Sequence, residues 1–293
     1  MSWILAIPLA LGLAAVGGVA PSPANAQGAR QRIDALEVRV AALEALLAQV
    51  TLEDGGTTVR FTGVNLQIVD GSGDTAGATN SLGNFIVGYN GDAIGSPNDR
   101  SGSHNLIVGD EHTYSSFGGF VAGSGNTISG QQASVTGGQT NSASGPNSSI
   151  CGGIANRAIG RNSSVSGGRL NVATAESSSI SGGLQNRASG NFSAIGGGFE
   201  NDTTGQNPSV SGGLRNHASA EHSWTGGGAF NEASGVSSSG SGGFDNEANG
   251  MWSSVSGGKR NLADGSTSSV SGGEQRTAPD EFNWAAGNLF EPN

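Results

Sequence analysis

Residues 253–277 read SSVSGGKRNLADGSTSSVSGGEQRT, and the hexapeptide SSVSGG begins at Ser253 and again at Ser268. A flexible Gly/Ser linker and a stack of one structural unit would both account for two copies. A longer stretch separates them. Insertions cost a flexible linker little, so nothing holds it in register. Here Asn recurs at Asn126, Asn141, Asn156, Asn171, Asn186, Asn201, Asn216, Asn231, Asn246 and Asn261, always with the same step. A Gly pair keeps that step from Gly137-Gly138 to Gly272-Gly273. Ala fills another column from Ala143 to Ala278, with Thr203 as the one exception. A fixed period without insertions marks a solenoid in which each unit lies on its neighbour.

Composition alone points the other way. Gly supplies 52 of 293 residues, charged residues 12% and aromatic ones 5%. Such a chain struggles to bury enough apolar surface to offset its ordering entropy, so the register has to outweigh the composition. The net charge of −10, with 13 Lys and Arg, argues against a nucleic-acid partner, whose phosphates demand basic patches. The single cysteine, Cys151, permits no intrachain disulfide. It stands in a column that most copies fill with Ser and reads as a tolerated substitution.

The unit is S-S-V-S-G-G-x-x-N-x-A-S-G-x-x. Val or Ile stands in one column at Val135, Ile150, Val165, Ile180, Ile195, Val210, Val255 and Val270, between small residues. One apolar residue points in and its neighbours point out. The alternation Asn-x-Ala-x-Gly likewise places Asn and Ala inside and leaves Arg157, Arg187, His217 and Glu247 outside. Two short strands per unit, turned by Gly-Gly-x-x and Gly-x-x, make a narrow coil. Helix is excluded, because each Gly costs about 1 kcal/mol against Ala. The fold class is therefore all-β: a β-solenoid, or β-roll, of fifteen-residue coils spaced about 4.8 Å apart. One Val and one Ala bury little, so coil-to-coil hydrogen bonds and a stacked Asn ladder must hold the coils together. The Asn residues are accordingly read as structural, bonding buried backbone at a turn.

The flanks differ. The apolar run Trp3–Ala20 followed by Ala24-Asn25-Ala26 reads as a signal peptide over residues 1–26. Its length would just permit a retained membrane anchor, and Pro8 and the Ala-Asn-Ala site favour cleavage. In residues 27–50 the apolar positions Ile33, Leu36, Val40, Leu43, Leu47 and Val50 alternate steps of three and four, the a/d seam of a coiled coil. Arg32 with Glu37 and Arg39 with Glu44 have the spacing that links parallel chains. A single amphipathic helix lying on its own domain is the other reading. The strict seam and the short length favour the coiled coil. Residues 51–123 read as irregular coils capping the regular stack of 124–278. Residues 279–293, with Phe282, Trp284, Leu289 and Phe290, read as a lid on its last coil.

These residues resemble a family. Trimeric autotransporter adhesin heads are left-handed β-rolls with coils of the pattern S-V-A-I-G-x-x-S-x-A-x-G-x-x. Here Ser164-Val165-Ser166-Gly167-Gly168 is followed by Asn171, Ala173 and Ala175, and other copies keep Gly at Gly160 and Gly190. The similarity covers about residues 84–278. The period is one residue longer, Gly167 stands where the family has Ile, and the coiled coil precedes the head with no membrane barrel after it. The resemblance implies the β-roll, a homotrimer and a secreted or cell-surface role in binding or structure, without implying autotransport itself.

Catalytic chemistry is missing from the pattern. His104, His112, His217 and His222 have no Cys or carboxylate at ligand spacing. Asp70 and Asp74 in DGSGD lack the order and closing Glu of a calcium loop. No His/Asp pair singles out a serine. The reading is a non-enzyme with no cofactor or metal. Its expected partners are copies of itself and a surface glycan or protein ligand, with no nucleic acid and no membrane contact after signal cleavage. One column invites a partner: Ile154, Leu184, Phe199, Leu214 and Phe244 follow successive Gly pairs and would line up as an apolar stripe. Alternatively, they fold over their own coil's corner. A phage tail-fibre-like receptor-binding rod is the alternative function. An ice-binding solenoid is a more distant one, since Gly196 and Gly226 interrupt the Ser rows.

Overall fold

Each fifteen-residue unit closes into one coil by passing three times through the left-handed backbone region. In the coil that begins at Ser164 these residues are Gly168 (φ 83°), Leu170 (φ 57°) and Ser177 (φ 53°). At Gly168 only glycine fits: besides the positive φ, a Cβ there would sit 2.2 Å from the Gly183 carbonyl oxygen of the next coil. The computed structural model describes residues 23–92 and 97–287, which form two units, Met1–Gln67 and Ile68–Asn293. The apolar run Trp3–Ala20, Leu289 and Phe290 lie outside the described residues. No helix among the described residues is long and apolar enough to cross a membrane.

In the first unit, helix α1 (Pro23–Leu47) is followed by β1 (Val50–Glu53) and β2 (Thr58–Phe61), an antiparallel hairpin with Val50 opposite Phe61. Ala24–Ala26, the expected cleavage site, falls in the first turns of α1. The helix therefore stops short of the expected residue 50, and Val50 belongs to the hairpin and not to the helical seam. Thr62 N–H donates to the Gln49 carbonyl at 2.8 Å and Gly55 turns the hairpin at φ 71°, which ends the helix before Val50. Residues 51–67 are thus hairpin and connection, where irregular coils were expected.

The second unit is the solenoid. Its 14-stranded parallel sheet starts with β3 (Phe85–Val87) and β4 (Leu106–Asp110), and ends at the strand Trp284–Ala285. A 12-stranded parallel sheet runs from β5 (Thr113–Tyr114) to Thr277–Ala278. The Gly-Gly-x-x segment, expected as a plain turn, forms a third ladder of single-residue parallel bridges from Ser124↔Gln139 to Lys259↔Glu274. Register follows the sequence period. Ser164 pairs with Ser179 and Val165 with Ile180. In the irregular part Phe85 pairs with Leu106, and Leu106 with Phe120, so the steps of 21 and 14 separating Gly88, Gly109 and Gly123 carry into the sheet. The solenoid also runs beyond residue 278. Trp284 pairs with Ser269 and is 68% exposed, and Phe282 is 72% exposed, so neither folds down as a lid.

The interior holds one Val or Ile, one Ala, one Asn and one Ser per coil, each buried, as at Val165, Ala173, Asn171 and Ser163. Of these, the Ser column was not anticipated. Gly160 is also buried: its Cβ would lie 1.9 Å from the Ala175 carbonyl oxygen. The column is not uniform, since Ala175 and Ala220 occupy it where the corner is only half-buried. The apolar core forms two clusters, one ending at Ala218 and the other beginning at Ala248. Between them Thr225 and Gly240 stand where other coils have Val or Ile.

Candidate functional site

The Asn column is the most fully bonded feature of the solenoid. Asn171 N–H donates to Asn156 Oδ1 at 3.0 Å. Its Nδ2 donates to the carbonyls of Gly167 and Gly183, both at 3.0 Å. Its Oδ1 accepts Asn186 N–H at 3.0 Å. One amide thus ties its own turn to the coils before and after it, and the arrangement repeats through Asn261, whose Oδ1 accepts Arg276 N–H at 2.9 Å. At the other end His112, fully buried, takes the place of Asn. His112 N–H donates to Asn90 Oδ1 at 2.8 Å, and Nδ1 accepts Asn126 N–H at 3.3 Å. Nε2 therefore carries the proton and donates to the Val108 carbonyl at 3.1 Å. This buried ladder turns no chemistry toward a ligand.

The outward columns are what a partner would meet. Ile154, Leu184, Phe199, Leu214 and Phe244 all stand on the single-residue bridge ladder. Ile154 and Phe244 are exposed, whereas Leu184, Phe199 and Leu214 are half-buried. Phe244 meets Phe230 edge-on at 5.5 Å, and the Arg215 guanidinium lies 5.8 Å above the Phe230 ring. Arg215 also pairs with Glu200, and farther along Asp245 pairs with Arg260 and Lys259 with Glu274. Each pair joins neighbouring coils, so these charges support stacking, modestly given their exposure. Lys259 holds the Glu274 carboxyl below its ordinary range, by hydrogen bond first and charge second.

The expected seam residues Ile33, Leu36, Val40, Leu43 and Leu47 lie on α1 and are each half or more exposed. Leu52, Val59 and Phe61 of the hairpin are exposed as well.

The remaining polar candidates engage neighbouring groups of the fold. Asp70 Oδ1 accepts Ser72 N–H at 2.8 Å and the Ser72 hydroxyl at 2.6 Å, and His104 Nε2 lies 3.5 Å away. The Ser72 bonds hold the Asp70 carboxyl below its usual range. Asp74 Oδ1 accepts Ala76 N–H at 3.0 Å. His217 stands 3.8 Å from Asp202 and 4.0 Å from Glu232 on the outer face. Among the described residues no three His, Cys, Asp or Glu side chains come together as a metal site would require. Cys151 is exposed.

One outward column escaped the sequence reading. At the corner between the x-Ala strand and the next Ser-Val strand stand Phe192, His222, Trp252 and Phe282, two coils apart, with small polar residues in between. The only signal was a ring at every second repeat, in a column that otherwise varies. No protein-family model matches the chain, and no curated protein matches it.

Proposed function

We propose that this chain is an exported, non-catalytic rod of adhesin type. Its parallel β-solenoid serves as a stiff surface module, and α1 joins three copies side by side. The observation that supports assembly is the α1 seam, and the number three is what the resemblance to trimeric adhesin heads implies. Ile33, Leu36, Val40, Leu43 and Leu47 form one apolar stripe, exposed in the single chain, and a helix with such a stripe is stable once the stripe is buried against others. The regular solenoid supports the structural half of the reading, since a stack of identical coils is stiff along its axis and presents every outward column as a straight row.

Sedimentation of the exported chain tests the assembly. The expected result is the mass of three chains, with Leu36→Asp and Leu43→Asp together reducing it to one. A stable monomer, unchanged by both substitutions, would reject the assembly and leave a single-chain solenoid. Finding Gln27 as the mature N-terminus would support export over a phage-type receptor-binding rod.

A further inference from the structure

We propose that the corner bearing Phe192, His222, Trp252 and Phe282 is a binding ridge for an extended, neutral, β-linked polysaccharide. The proposal rests on the reading of the chain as a non-catalytic binding rod and names what that rod would bind. From Phe192 onward the corner column reads Phe192, Asn207, His222, Ser237, Trp252, Thr267 and Phe282, a ring alternating with a small polar side chain. The backbone beneath is regular. Phe192 N–H donates to the Glu176 carbonyl, Asn207 to Asn191, His222 to Gln206, Ser237 to Glu221, Trp252 to Val236, Thr267 to Met251 and Phe282 to Ser266, at 2.7–3.0 Å. Coils about 4.8 Å apart put successive rings about 9.6 Å apart along a straight line.

Folding does not require rings at these positions. All seven residues have φ between 56° and 59°, a left-handed conformation that suits Gly or Asn and strains a bulky side chain. Burial does not offset the strain, because Phe192 is 53%, Trp252 60% and Phe282 72% exposed. Coils earlier in the stack fill the same corner with Asn147, Asn162 and Ser177. Two indoles flank the ridge, each two residues beyond a ridge ring and pinned across the adjoining strand. Trp224 Nε1–H donates to Ser211 Oγ at 3.2 Å, and Trp284 Nε1–H to Ser271 Oγ at 2.7 Å. A Cβ at Gly226 would lie 3.0 Å from the Trp224 ring, so the glycine that interrupts the Ser row leaves room for that indole.

A pyranose ring offers an aromatic ring its C–H face and offers polar neighbours its equatorial hydroxyls. In an extended β-linked chain successive sugars are turned over, so the same face recurs at every second sugar, a length close to that of two coils. Asn207, Ser237 and Thr267 stand between the rings as hydrogen-bonding groups. Charge narrows the class further. Glu221 and Glu281, each immediately before a ridge ring, are exposed and accept from hydroxyls while repelling an anionic polymer.

Affinity electrophoresis of the whole chain tests this, with hydroxyethylcellulose or glycol chitin in the gel and with dextran and polygalacturonate as comparisons. The two β-linked neutral polymers should retard the chain, and dextran and polygalacturonate should not. Trp252→Asn and Phe192→Asn should each weaken retardation about tenfold. Asn suits the left-handed corner, so melting temperature and sedimented mass should stay unchanged. No retardation by either β-linked polymer, retardation unaffected by both substitutions, or equal retardation by dextran or polygalacturonate would each overturn the ridge. Retardation by a chain that sediments as a monomer would leave the ridge standing and remove only the trimer.

Discussion

Two buried polar side chains in the same coil should respond oppositely to removal. Asn171 makes hydrogen bonds to Asn156, Gly167, Gly183 and Asn186. Asn171→Ala takes the partner from the Gly167 carbonyl and from the Asn186 amide in the interior, while the Gly183 carbonyl keeps Arg169 N–H, and is expected to cost about 1–3 kcal/mol. Ser163 is as deeply buried, yet its hydroxyl has no hydrogen-bond partner, and Pro208 fills the same column without a hydroxyl. Ser163→Ala exchanges an unpaired polar group for a methyl and should be neutral or mildly stabilising. Thermal or denaturant unfolding of the two variants checks the pair. Equal losses at both sites would show that burial, and not bonding, sets the cost. The Asn ladder was legible in the sequence because a polar residue held at one spacing needs a shared partner. The buried Ser column was not: Ser163, Ser164 and Ser166 are the same residue type, and only the coil's path decides which of them turns inward.

Among the coils, one is underfilled. Gly240 is buried in the column that elsewhere holds Val or Ile, with Thr225 before it and Val255 after it. A Cβ added at Gly240 meets nothing within 4 Å, and the backbone there has no positive φ to forbid one. Gly240→Val should therefore fill the interior and stabilise the protein by about 1.5–3 kcal/mol, read as a higher melting temperature. A lower one would mean that the coil has closed into the space a side chain would need. The sequence pattern marked Gly240 as a missing Val, but whether the gap was open or already occupied depended on neighbouring coils. Similarly, the seam pattern located α1 but overran its end: Val50 fits the apolar spacing, and β pairing to Phe61 claims it.

Taken whole, the solenoid is a one-dimensional stack in which each coil touches only its neighbours. Its hydrogen bonds run between coils throughout residues 124–275. Slow amide exchange is expected across this region despite its Gly and Ser content, and rapid exchange throughout would contradict a stacked solenoid. Protection should be lowest around residues 225–247, where the two apolar clusters are separated. In Gly240→Val that dip should shrink.

By itself the sequence determined the period, the β-class of the fold, the parallel in-register stacking and the inward placing of Asn, Ala and Val. All of these follow from one constraint: a coil that lies on its copy repeats the same contact at the same place. Tertiary structure decided what no column states alone. It showed that the Gly-Gly-x-x turn is a third ladder, that His112 stands in for Asn where the step shortens, and that the solenoid continues through Trp284. It also lined up Phe192, His222, Trp252 and Phe282 on one corner. Residues thirty apart in the chain become neighbours on a line only because two turns of the coil bring the backbone back to the same corner, and that return is a property of the closed coil.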